Sequence, residues 1–142
     1  MKNTFNPKGR LNICVLENGK EIAQHKVNNT IVNGGRGKMA ACFAGASTGN
    51  FVAAIGAGTS NAATSPTDTA LTSGVSVAIG SNTLSPTSVL FNFNIGTAFA
   101  NGLTVQELGL FSGDGTMLTR VVIPAIVKTS AISIVGTWEI DF

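Results

Sequence analysis

The sequence predicts a mainly β domain, an antiparallel β-sandwich or barrel-like fold carrying one short helix at about residues 36–44. Three observations predict it. Apolar residues recur with period two, most clearly in 87–95, where Val89, Phe91, Phe93 and Ile95 take one side and Asn92 and Asn94 the other. Gly, Asn and Pro break the chain into seven or eight such segments, with no alternating helical pattern between them. The segments are built from β-branched and aromatic residues, which suit a pleated, half-buried surface.

Taken in order, residues 1–10 hold Asn, Pro, Gly and three basic residues and read as an extended arm; 11–142 read as a single β-sandwich domain. LNICVLE (11–17) and KEIAQHKV (20–27) flank Asn18-Gly19, a pair suited to a type I′ hairpin turn because both central positions need positive φ. A two-residue turn there sets Val15 against Ile22 and Cys14 against Ala23. In 28–45, Met39, Ala40 and Phe43 give a short helix one apolar side, and Gly45 closes it as a left-handed cap.

FVAAI (51–55) reads as a strand, followed by a Gly- and Thr-rich loop at 56–70; GVSVAIG (74–80) puts Val75, Val77 and Ile79 on one face. LTVQELGLF (103–111) and MLTRVVI (117–123) flank a Ser-Gly-Asp-Gly-Thr turn. Centred on Gly113-Asp114, that turn sets Glu107 opposite Arg120 as a cross-strand ion pair; centred on Asp114-Gly115, it sets Arg120 opposite Gly109. Asp68 and Thr69 form a capped turn that drops Leu71 into the core. In 131–142, Ile132, Ile134, Trp138, Ile140 and Phe142 share one face.

Composition narrows the function. Only 11% of residues are charged, against about 25% in ordinary domains, while 44% are apolar. That apolar content argues against disorder. No apolar run approaches the roughly 18 residues of a membrane helix. Extensive burial against other protein is the remaining explanation, because the mixed charge that keeps monomers apart is missing. The net charge of +2, with five of nine basic residues in the first 26 positions (Lys2, Lys8, Arg10, Lys20, Lys26), is too weak for a nucleic-acid reading. MKNTFNPKGR lacks a secretory h-region, which implies cytoplasmic synthesis. Cys14 and Cys42 lack CxxC spacing and read most simply as small buried hydrophobes; spacing alone does not decide whether they form a disulfide.

Nothing in the sequence assembles a catalytic or metal site, so no catalytic, cofactor-binding or metal residue is assigned. His25, the single histidine, lies in a strand with no visible partner. Glu17, Glu21 and Asp114 belong to turns, and Glu139 and Asp141 to the polar face of the last strand, where a calcium pair is the minor reading. NGGRGKMA (33–40) fails as a phosphate loop, with Val32 and Met39 at required Gly and Ser/Thr positions. IGAGTSN (55–61) has Asn61 where a dinucleotide fingerprint needs its third glycine.

Several phrases recur in an order that resembles small structural proteins of tailed bacteriophage particles, either tail- and fibre-associated or capsid-decorating. They are NTIVNGG (29–35), IGAGT (55–59), DTAL (68–71), LTVQELGLF (103–111), DGTMLTR (114–120), KT (128–129) and WEIDF (138–142). The resemblance covers about 28–142 and implies a virion structural role rather than an enzyme. The implied partners are copies of the chain and other virion proteins, with no nucleic acid and no membrane. Two readings follow. In one, a homo-oligomeric decoration or tail adaptor is assembled in the host cytoplasm, with its arm lying across a neighbouring subunit. In the alternative, a receptor- or glycan-binding module at a tail tip uses the 56–70 loop. A small hydrolase has the least support.

Overall fold

The computed structural model describes residues 6–46, 49 and 51–142. It is mainly β, 56% strand and 8% helix, with nine antiparallel strands in a curled half-barrel sheet and one helix among the described residues. The strands are β1 (Lys8–Glu17), β2 (Lys20–Ile31), β3 (Val52–Gly58), β4 (Val75–Ala78), β5 (Ser81–Leu84), β6 (Ser88–Ile95), β7 (Thr104–Ser112), β8 (Met117–Val127) and β9 (Ile132–Asp141); α1 (Asn33–Phe43) follows β2. The sheet order is β4-β3-β7-β8-β2-β1-β9-β6-β5, so its two edges are the consecutive strands β4 and β5.

The concave side holds the core. On β1, β9 and β6 the period-two faces meet in rows: Leu11 opposite Trp138 and Phe91, and Val15 opposite Ile134 and Ile95. Gly136 lies between Ile13 and Phe93. A Cβ there would meet the Asn12 carbonyl oxygen at 2.1 Å, so glycine is required for the strands to approach. From the other half, Ile55, Val105, Leu108, Leu110, Val121 and Ile123 complete one continuous cluster.

The hairpin turn forms at Asn18-Gly19, with φ of 49° and 80°. Its register differs from the regular one: Glu17 pairs Lys20 and Leu16 pairs Glu21, then a bulge sets Val15 against Ala23 and Cys14 against Gln24. The regular register would have turned Ile22, Gln24 and Lys26 inward. With one residue extruded, Ile22 is 56% exposed, while Ala23 and Val27 pack on the core. The arm expected at 1–10 is also shorter, because Lys8–Arg10 are already strand, paired with Asp141, Ile140 and Glu139. Residues 1–5 of that arm lie outside the described residues.

The helix begins three residues before the expected start because Gly34 and Gly35 sit directly on β8. A Cβ on Gly35 would meet the Leu118 carbonyl oxygen at 2.2 Å, and one on Gly34 the Met117 oxygen at 2.7 Å. At the other end the Ala46 N–H donates to Ala41 and the Gly45 N–H to Cys42, with Gly45 at φ 85°, a Schellman closure. Met39 packs on the core, but Phe43 and Ala40 are exposed, so the expected apolar side is only partly used.

Candidate interaction site

Two features dominate the half-barrel beyond its core: a strap clamped across its convex side and an apolar groove at its helix-bearing end.

The strap is 59–74, which leaves β3 and returns as β4. Leu71 lies over a floor of glycines: a Cβ on Gly56, Gly58 or Gly109 would meet Leu71 at 2.9, 2.9 and 3.4 Å. Leu71 therefore seals the outside of β3 and β7 and is not part of the central core. Polar anchors come from beneath. The Arg120 Nε donates to Glu107 Oε2 at 2.7 Å, one Nη to Asp68 Oδ2 and the other to the Ala62 carbonyl, both at 3.0 Å. Glu107 Oε1 accepts from the backbone N–H of Thr72 at 2.7 Å and of Ser60 at 3.2 Å. Asp68 Oδ2 also accepts from the Ser65 N–H at 2.8 Å.

Glu107 is 1% and Arg120 4% exposed, so this is a buried, fully hydrogen-bonded ion cluster. The register across β7 and β8 is the one that sets Arg120 opposite Gly109. Glu107 and Arg120 pair diagonally within it, in the register where the sequence placed no such pair. Burial opposes the charge on Arg120, but the two carboxylates outweigh it and hold the guanidinium protonated more firmly than usual.

The groove lies where the half-barrel is open, between α1 and β3 on one side and β5, β6 and β9 on the other. Its volume is about 580 Å³. Met39, Val52, Val89, Phe91, Leu110 and Ile140 are among the residues lining it. Phe51 (62% exposed) and Leu84 (79% exposed) stand at its mouth. Lys38 lines it too and pairs with Asp114 in the β7–β8 turn. Hydrogen bonds from Lys38, then from the Ser112 hydroxyl and from Thr116, hold the Asp114 carboxyl well below the usual carboxylate range.

The remaining singled-out residues do not converge. His25 is half-buried on β2 opposite Ile13. Glu139 and Asp141 are bridged by Arg10 at 3.0 and 2.9 Å. Cys14 is half-buried and Cys42 exposed on the helix, not the buried hydrophobes expected, and no disulfide joins them. NGGRGKMA forms the start of α1, and IGAGTSN the end of β3 and the start of the strap. Trp138 is fully buried.

Lys128, read only as part of a Lys-Thr phrase, is fully buried, donating to Asn101 Oδ1 at 3.0 Å and to the Thr129 carbonyl at 3.2 Å. Its position at the end of a strand, among uncharged residues, gave no sign of that. Among the described residues, no group of three or more His, Cys, Asp or Glu is placed to hold a metal, and no helix is long and apolar enough to cross a membrane. No family model, no curated protein and no solved structure matches the chain.

Proposed function

We propose that this chain is a non-enzymatic structural protein of a tailed phage particle, a capsid decoration or tail adaptor that works by packing against copies of itself and other virion proteins. The observation that carries this reading is the apolar groove with Phe51 and Leu84 at its mouth. Solvent-exposed apolar surface of that kind is stable when a protein neighbour covers it. The resemblance to phage structural proteins supplies the setting.

Two further features support the reading. The charged residues best placed for chemistry, Glu107, Arg120 and Asp68, are already satisfied by one another and by the strap backbone. Trp138, the one tryptophan in the sequence, is fully buried and offers no indole face to a glycan.

The test is twofold. Sedimentation of the purified full chain over a hundred-fold concentration range is expected to show a reversible homo-oligomer. Mass spectrometry of purified particles is expected to find the chain at fixed stoichiometry. A monomer throughout, absent from particles, refutes the proposal.

A further inference from the structure

We infer that copies of this chain associate head to tail, the apolar groove of one receiving the Phe99-bearing turn at the opposite pole of the next. This rests on the assembly reading above and names the contact that carries it.

Strand direction places the two surfaces at opposite ends. Val89 and Phe91 in the first half of β6 and Ile140 near the end of β9 line the groove. Ile95 at the end of β6 pairs with Ile134 near the start of β9, at the other pole. Eight residues of extended β9 separate Ile140 from Ile132, about 26 Å. At that far pole the 96–103 and 128–131 loops join: the Gly102 N–H donates to the Lys128 carbonyl, and the Lys128 N–H to the Leu103 carbonyl, both at 2.9 Å. The hairpin turn lies alongside, with the Asn18 N–H donating to the Ala131 carbonyl at 2.9 Å. Phe99, Val127 and Ile22 are all exposed there.

The turn that carries Phe99 is stapled from below. The buried Lys128 ammonium donates to Asn101 Oδ1 at 3.0 Å, and Asn101 Nδ2 donates to the Thr97 carbonyl at 2.7 Å. Within the turn the Phe99 N–H donates to the Gly96 carbonyl at 3.2 Å. A buried cation is costly to keep for packing alone. Here it holds an exposed apolar turn in one shape, which lowers the ordering cost of docking it.

Shape and charge choose this partner for the groove. A concave slot is filled by a protrusion, and two grooves meeting across a two-fold axis leave each other empty. The groove pole carries Lys8 and Arg36, exposed and in no ion pair among the described residues. With Arg10 and Lys38 set against Asp114, Glu139 and Asp141, four cations face three carboxylates, a net of +1. The turn pole carries exposed Glu17, Lys20 and Glu21, a net of −1, and neither glutamate is in an ion pair. Groove against groove sets like charge on like, whereas groove against turn sets opposite signs together, which fixes orientation more than strength. Such a contact is heterologous, and a run of them closes a ring or extends as a stack.

Full-length Leu84→Lys, which blocks the groove mouth, and Phe99→Ser, which removes the knob, are studied singly and mixed, by sedimentation and thermal melting. Each alone is expected to associate at least ten-fold more weakly than wild type. Mixed in equal amounts, they are expected to form a one-to-one dimer, because one intact groove then meets one intact knob. Should Phe99→Ser melt early, Val127→Lys on the same pole replaces it. If the wild type is an oligomer and the single variants associate as it does, or the mixture stays monomeric, assembly stands and the head-to-tail contact is overturned. A monomeric wild type overturns both.

Discussion

Replacing Arg120 with Leu isolates the clamp. The guanidinium satisfies Glu107, Asp68 and the Ala62 carbonyl together. Without it, Glu107 remains at a site where it is 1% exposed, holding a full charge with only the Thr72 and Ser60 N–H groups as partners. Breaking one side of a buried ion pair costs about 3–5 kcal/mol, because the surviving charge is left unmatched. At roughly 3 °C per kcal/mol for a chain of this size, the melting temperature should fall by about 9–15 °C. Asp68→Asn should cost only about 1 kcal/mol, since Asp68 is partly solvated and keeps a carbonyl acceptor. Scanning calorimetry gives the ordering, and hydrogen exchange locates it. The Thr72 N–H, which donates to Glu107, and the Thr59 N–H, which donates to the Thr72 carbonyl, should lose protection well before the core strands do. If Arg120→Leu melts within about 3 °C of wild type with Thr72 still protected, the strap is held by Leu71 packing and the ionic argument fails.

Other predictions concern the helix and two charged groups. Gly35→Ala should destabilise by about 1–3 kcal/mol because its methyl meets the β8 backbone; Gly37→Ala, with nothing within 4 Å, should stabilise by about 0.5–1 kcal/mol. Equal effects in chemical denaturation would refute the close helix–strand contact. Asp114 has a folded pKa below its ordinary 3.8. Its contribution is therefore present above about pH 3.8 and is lost as pH falls through the lower folded value; melts between pH 5 and 2 should show a shallower acid slope for Asp114→Asn. Burial pushes the Lys128 ammonium below its ordinary 10.5. The unfolded chain then holds that proton to higher pH than the folded one, so this group adds stability as pH rises through the interval up to 10.5. Lys128→Met should lack that rise and, with no buried cation, melt at or above wild type at pH 7.

Much of the fold was legible because period-two faces and Gly/Asn turns are local signals. Asn18-Gly19 took the positive φ values that its residues favour, and Phe91 and Phe93 buried the face assigned to them. What was not legible depended on contacts distant in sequence. The bulge at Ile22 arises because β1 must also pair with β9, its partners running from Glu17 with Ile132 to Lys8 with Asp141, which fixes the side of β1 that faces inward. β5 was missed because Ser-Asn-Thr-Leu carries no apolar alternation; only its pairing with β6 makes it a strand. The early helix start follows from the Leu118 carbonyl beneath Gly35, which no helix propensity describes. Glu107 and Arg120 drew attention singly and as a pair. Asp68 joined them only once the strap folded back across 52 residues.

The placement of charge connects the strap to the groove. Asp68, Glu107, Asp114, Glu139 and Asp141 each pair with a cation that fastens one piece of the chain to another: strap to sheet, β7 to β8, helix to turn, or β1 to β9. The carboxylates outside these pairs, Glu17 and Glu21, flank the hairpin turn. Most of the acidic charge thus fastens the chain internally, while β4, β5 and β6 come from the uncharged stretch between Thr69 and Gln106. A surface of Ser, Thr and Asn beside an apolar groove gives little long-range repulsion between identical copies and little electrostatic steering toward a charged partner. On the proposed reading, shape and apolar burial are then the means of recognition. These are the interactions that a repeated, self-complementary protein contact relies on.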